Sequence, residues 1–414
     1  MRRFPRVVFA GIVFLVSCSH ALSTIPQPFR SLQIEKSDVG ASSMYFSVLH
    51  SFDGADGRGP IASLIIDSAG NLYGTTDEGG SSQDGAVFKV DPTGDEVVLH
   101  SFNVLDGIGP QAGLVRDAVG NLYGTTVGGG PPHKRDGVVF KLDPNGNEVV
   151  LHSFSGRNGN TPQAQLIRDA AGNIYGTTYI GGGSPNCFAG CGVVFKLDPS
   201  GVKTVLHRFD GANGKNPTAG LVQDAAGNLY GTTEYGGTLN MGVVFKLGPS
   251  GKETVLHSFS GADGKYPGAG CLVQDADGSL YGTTVRGGPP YASVGQGLGV
   301  VFKLNPNGHE TVLHSFNGSD GDGPNAGLVR DATGNLYGTT VNGGSSSCFG
   351  FGCGVVFKLE PSGKEIVLHS FNGSDGYGPS AGLVRDNVGN LYGTAAQGGS
   401  SNDGVVFKLT HKSR

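Results

Sequence analysis

The chain has 414 residues, of which 74 are glycine and 21 proline, while only 15% are charged; ordinary domains carry glycine at about one residue in fourteen. Glycine at this density belongs to many tight turns, and β-branched and aromatic residues come in short runs bounded by Gly, Pro, Asn and Asp, which excludes a helical protein. The formal net charge of −5, with no block of like charges, offers no footprint for a polyanion, so no nucleic-acid partner is expected.

The N-terminus reads "MRRFPRVVFAGIVFLVSCSHALS". Arg2, Arg3 and Arg6 precede an apolar run over residues 7–16 that is too short to span a bilayer, so residues 1–21 are predicted to be an export signal. Two processing schemes fit. Cleavage could follow Ala21, or Cys18 could be lipidated, because Leu15-Val16-Ser17-Cys18 resembles the lipobox of bacterial lipoproteins. Residues 22–44 have few apolar side chains and scattered Ser, Pro and Gln, and read as a flexible tether.

Residues 45–410 form seven copies of one unit of about 53 residues. "YGTT", or its last variant with Ala, recurs at Tyr73, Tyr123, Tyr175, Tyr230, Tyr281, Tyr337 and Tyr392. Each copy holds four strand-like stretches, as in "AGLVQD", "NLYGTT", "GVVFKL" and "ETVLHSF". The first two are joined by Asp-x-x-Gly-Asn and the last two by a stretch such as Asp198-Pro199-Ser200-Gly201, both tight-turn chemistry. The connections before GVVFKL and between copies vary in length. Because antiparallel strands alternate in direction, both variable connections fall on one face, where propellers usually place their binding surface.

The last GVVFKL stretch has no VLHSF after it, and "YFSVLHSF" near the start has no GVVFKL before it. The prediction is an all-β chain: a seven-bladed β-propeller of four-stranded antiparallel blades, its ring closed by residues 48–52 pairing with 405–409, with a tail at 411–414.

The units "GVVFKLDPSG", "TVLHSF" and "GNLYGTT" resemble the GloVer tandem repeat of exported bacterial proteins of the "choice-of-anchor" type. The resemblance covers residues 48–409. It implies an exported, surface-associated repeat protein, leaves Cys18 as the expected anchor, and carries no catalytic residues over.

One histidine recurs in each VLHSF stretch, as at His50 and His207; lying in separate blades, these cannot converge on one ion and are expected to satisfy backbone groups between blades. The recurrent lysine of VVFKL is expected to lay its stem on the neighbouring blade. Arg116, Arg168, Gln223, Gln274, Arg330 and Arg385 would form a partial ring near the axis, open to an anion or paired with nearby aspartates. Segments such as "DGADGRGP" hint at calcium, yet lack the spacing of a full oxygen cage, so turns are the expected role and no cofactor is assigned. Cys187 with Cys191 and Cys348 with Cys353 lie inside variable loops and are expected to be disulfide staples; Cys271 is expected to be an inert thiol.

Residues that break the repeat are the binding candidates: His133, Lys134, Arg135, Tyr179, Tyr235, Arg286 and Tyr291. The expected function is an exported binding module, extracellular or at the cell surface, monomeric, without a transmembrane span, that takes a protein, glycan or surface component on its variable face. The alternative is a metal-assisted lyase or hydrolase with a site at the channel mouth.

Overall fold

The computed structural model describes residues 44–131, 136–289, 297–345, 348 and 350–411. Seven antiparallel sheets follow one another around the ring. The first covalent blade runs from the axis outward through Ile65–Ile66, Leu72–Thr76, Ala86–Val90 and Glu96–Ser101, and five more repeat it. The fifth carries an extra short strand, Lys265–Pro267, against Leu280–Arg286.

The seventh blade is shared between the termini. Val384–Arg385, Leu391–Ala395 and Val405–His411 are completed by Met44–Ser51 from the start of the chain. Val48 pairs with Phe407, and the pairing runs from Met44 opposite His411 to Ser51 opposite Val405, longer at the N-terminal side than the predicted 48–52. Even the register shift is reproduced: it falls between Val48 and His50 here and between Val194 and Phe195 in the third blade.

Sequence identities follow from packing between blades. The phenylalanine closing each outer strand meets the third-strand phenylalanine of the next blade edge to face, as with Phe52 and Phe88 at 5.0 Å and Phe102 and Phe140 at 4.9 Å. Both rings of each pair are fully buried, and each such burial contributes roughly 1.5–3 kcal/mol. Gly74 of YGTT sits opposite Phe88, whose ring would lie 2.5 Å from any Cβ there, so the motif needs glycine. The threonine after it ties adjacent blades: Thr75 Oγ1 donates to the Ala112 carbonyl at 3.1 Å, and Thr394 Oγ1 does the same to Ala62 across the seam at 3.3 Å.

The Asp-x-x-Gly-Asn turn is pinned by its own blade. Asp67 Oδ1 accepts the amides of Ala69 and Asn71, while Oδ2 accepts from Asn71 Nδ2 at 2.9 Å and from the Tyr73 hydroxyl at 3.0 Å. One carboxylate thus serves the turn and the tyrosine of YGTT together. Burial and the neighbouring Asp67 charge push the Tyr73 hydroxyl up to about 12. The recurrent arginine lies over the preceding blade's tyrosine instead of pairing with an aspartate: Arg116 stands 5.7 Å from the Tyr73 ring centre and Arg168 5.6 Å from that of Tyr123. The recurrent lysine likewise covers the tyrosine of its own blade, not the neighbouring one, with Lys246 at 5.5 Å from Tyr230.

Candidate functional site

The variable connections lie together on one face and are braced against each other. The connection entering each blade and the one between its second and third strands meet in isolated antiparallel bridges, such as Arg58 with Glu78, Lys215 with Tyr235 and Asp322 with Asn342. Into this frame the third, fourth and fifth blades place a cluster of tyrosines around one acid.

Tyr179 follows the second strand of the third blade, and Glu234 holds the same position one blade on. The Tyr179 hydroxyl donates to Glu234 Oε2 at 3.3 Å. The ring of Tyr235, the next residue, lies 5.1 Å from that of Tyr266 in the fifth blade's entry connection. Lys215 Nζ stands 5.9 Å from the centre of the Tyr235 ring and Lys265 Nζ 5.3 Å from that of Tyr266. Burial raises Glu234 above the ordinary carboxyl range against the opposing pull of the two tyrosine hydroxyls and Lys215. Burial first, then the Glu234 charge, raises both tyrosine hydroxyls. The cluster therefore combines two tyrosine rings in tilted contact, a half-buried acid and two ammonium groups on one side of a seven-fold frame.

Tyr266 is held in a left-handed backbone conformation, φ 56°. Four copies have glycine at that position, Gly59, Gly109, Gly323 and Gly378, with φ between 64° and 68°. A bulky residue there costs on the order of 1–3 kcal/mol. The Tyr266 amide nonetheless donates to the Met241 carbonyl at 2.9 Å, which fixes the backbone in place.

Among the sequence-predicted candidates, the structure brings Tyr179 and Tyr235 together and sets Arg286 apart, paired with Asp322 of the sixth blade's entry connection. His133, Lys134, Arg135 and Tyr291 lie outside the described residues, as do Cys18 and residues 1–43. Glu234, Tyr266, Lys215 and Lys265 were not singled out by sequence. The signal for Tyr266 was present, a tyrosine where four sister copies carry glycine.

Cys187 is bonded to Cys191 and Cys348 to Cys353, each closing a short loop on this face. The stapled loops present Phe188 and Phe351 to solvent, two of the most exposed large apolar side chains described. Cys271 is buried and its sulfur is engaged, so it is not the free thiol expected.

Five of the recurrent histidines, His50, His100, His257, His314 and His369, meet aspartates, and His207 meets the Asn213 side-chain amide, not backbone groups. His50 Nε2 lies 2.8 Å from Asp56 Oδ2, and His257 and His369 repeat the contact with Asp263 and Asp375 at 3.0 and 3.1 Å. The other aspartate oxygen builds the turn, Asp56 Oδ1 accepting the Asp53 amide at 2.9 Å. A glutamate from the next blade's outer strand completes two of these junctions, Glu96 beside His50 and Asp56 and Glu310 beside His257 and Asp263.

A family model described as the Gloeobacter/Verrucomicrobia repeat matches residues 38–188, 98–295 and 270–414. No curated protein matches the sequence. Among solved structures, the chain is similar to the extracellular domain assigned to a hybrid two component system of B. thetaiotaomicron, at 16% identity and a TM-score of 0.53, covering 87% of this chain and 40% of that one. It is also similar to the extracellular domain assigned to a one component system of the same organism, at 11% identity and a TM-score of 0.55, covering 87% and 39%. The chain thus spans about two fifths of the length of these relatives in fold. Among the described residues, no helix is long and apolar enough to cross a membrane.

Proposed function

The chain belongs to the Gloeobacter/Verrucomicrobia repeat family, and from that premise we propose that it is an exported β-propeller binding module that takes a glycan or protein ligand on its variable-loop face. The observation that carries this reading is the cluster of Tyr179, Glu234, Tyr235 and Tyr266, built by three adjacent blades at positions where the repeat demands none of these side chains. Tyrosine rings bring apolar area with a polar tip at low entropic cost, which suits recognition of sugars and of protein surfaces. Lys215 and Lys265 add donors, and Tyr266 keeps its place at a backbone cost. The extracellular placement of the two B. thetaiotaomicron domains supports an exported setting, with the signal at residues 1–21 as its means.

Glu234 is also the acid on which the enzyme reading would rest, as a half-buried carboxyl with a raised pKa on the variable face. An array of glycans and extracellular proteins, probed with the full chain and with Tyr235→Ala and Tyr266→Ala, separates the readings. Capture that these exchanges abolish, while Val388→Ala on the opposite face leaves it intact, supports the binder. Turnover of a captured glycan, lost in Glu234→Gln, would replace it with the enzyme.

A further inference from the structure

We infer that the blade junctions His50–Asp56–Glu96 and His257–Asp263–Glu310 each bind a divalent first-row transition-metal ion, Zn2+ in preference to Ca2+. In both sets one imidazole nitrogen and two carboxylate oxygens lie within 4.8 Å of one another. The His50–Asp56 and His257–Asp263 contacts, 2.8 and 3.0 Å, come close to the ligand–ligand edge of a zinc tetrahedron, about 3.3 Å for bonds of about 2.0 Å. Three ligands leave a further coordination position to solvent. Imidazole with carboxylate suits zinc and its neighbours, whereas calcium takes oxygen ligands alone.

Two further observations point to a cation at these places. Glu96 Oε1 and Glu310 Oε1 are buried without a hydrogen-bond partner, as is the same oxygen of Glu148, Glu253 and Glu365, and a buried carboxylate oxygen left unpaired is costly; among the described residues, it is at Glu96 and Glu310 that the glutamate meets an imidazole and a second carboxylate within 4.8 Å. The second observation comes from the ring itself. Where the second blade meets the third, Asn158 stands in place of the aspartate and Lys203 in place of the glutamate. Lys203 Nζ donates to the Asn158 carbonyl and lies 4.6 Å from the centre of the Phe154 ring, beside His152. The junction that has lost its acids has gained an ammonium of its own. At the ring seam the glutamate is replaced instead by Phe46, opposite Leu409 as Glu96 is opposite Val90, and its ring covers His369. Acids and a positive charge thus replace one another in the same pocket, and the apolar version closes it with a ring.

The ion would clamp the outer strands of neighbouring blades, independently of the tyrosine cluster. The full chain, stripped with chelator and titrated at pH 8 with Zn2+ and separately with Ca2+, is expected to take up at least two Zn2+ per chain by calorimetry and elemental analysis, and more than two only if His100–Asp106–Glu148 and His314–Asp320–Glu365, which carry the same residue types with His–Asp contacts of 3.3 and 3.2 Å, also close on an ion. Its unfolding midpoint should rise with Zn2+ and not with Ca2+. Glu96→Gln and Glu310→Gln should each remove one equivalent of Zn2+, while Glu253→Gln, at a junction that carries Asn213 in place of aspartate, should remove none. Circular dichroism checks folding, and His50→Gln with His257→Gln supplies the same readout should a glutamine variant fail to fold. Saturable Zn2+ uptake that neither pair of exchanges reduces, equal uptake of Ca2+, or no saturable uptake at all would each overturn the assignment.

Discussion

Phe46 stacks face to face on His369, with ring centres 3.7 Å apart and planes 6° from parallel. The two residues come from opposite ends of the sequence, and the contact exists only because the N-terminal strand completes the last blade. Phe46 also meets Phe371 and Phe407, each at 5.6 Å. Phe46→Ala should therefore destabilise the whole ring by about 2–3 kcal/mol, toward the low end for a buried phenylalanine because the residue is only partly buried. Urea unfolding checks this through a lowered midpoint with an unchanged slope. A loss below about 0.5 kcal/mol, the size of an ordinary surface exchange, would mean that backbone pairing alone holds the seam.

Tyr266→Gly should stabilise the fold and weaken ligand capture at once. The exchange restores the residue that Gly59, Gly109, Gly323 and Gly378 supply at the same left-handed position, relieving on the order of 1 kcal/mol of backbone strain. It also removes the ring that packs against Tyr235. Thermal unfolding and array binding measured on one preparation test the two effects together. A variant that is less stable would show that the tyrosine side chain, through its packing, contributes more to the fold than its backbone costs.

The architecture was legible because each blade repeats its own turn chemistry: Asp67, Asn71 and Tyr73 satisfy one another within seven residues. The closing strand was legible for the same reason, as one half of a hairpin seen six times elsewhere. The staples could be read because Cys187 and Cys191 sit within reach of each other along the chain. The tyrosine cluster was only half legible, since Tyr179, Tyr235 and Tyr266 are far apart in sequence and meet where three separate connections converge. The junction acids were hidden by the same distance. His50 near the end of its strand and Asp56 in the connection after it are six residues apart, but Glu96 arrives from the next blade. The joint exchange to Asn158 and Lys203 was the sequence trace of that contact, and it becomes readable once the repeats are set side by side.

Asp331→Asn should cost about 1.5–3 kcal/mol, the range for hydrogen bonds to a charged group. Asp331 accepts from the amides of Thr333 and Asn335, from Asn335 Nδ2 at 2.8 Å and from the Tyr337 hydroxyl at 3.1 Å. Although partial burial works the other way, these donors together hold its carboxyl down at about 2. The stabilisation is therefore complete above pH 3.8 and lost as the pH falls toward 2. Acid unfolding of the variant should begin from a lower plateau and lose less between those values than the parent protein does. An equal loss in both would show that this carboxylate does not govern the acid limb.

Between pH 4.5 and 7 the dependence should reverse. Burial raises Glu96, Glu148, Glu253, Glu310 and Glu365 to about 7, from 4.5 in an open chain. The folded protein therefore keeps protons in this window that the unfolded chain has released, so their contribution is full below pH 4.5 and declines as the pH rises to 7. His152, held down at about 4 by burial, and His207, lowered for the same reason, act in the opposite sense, because the unfolded chain binds their protons first. Five acids against two histidines leave a net fall. Calorimetry in chelator should show the unfolding midpoint dropping from pH 5 to pH 7, and exchange of the five glutamates for glutamine should flatten or invert that slope. A parent midpoint that climbs across the same window would mean that these carboxylates stay ionised between the blades, held by something other than a proton.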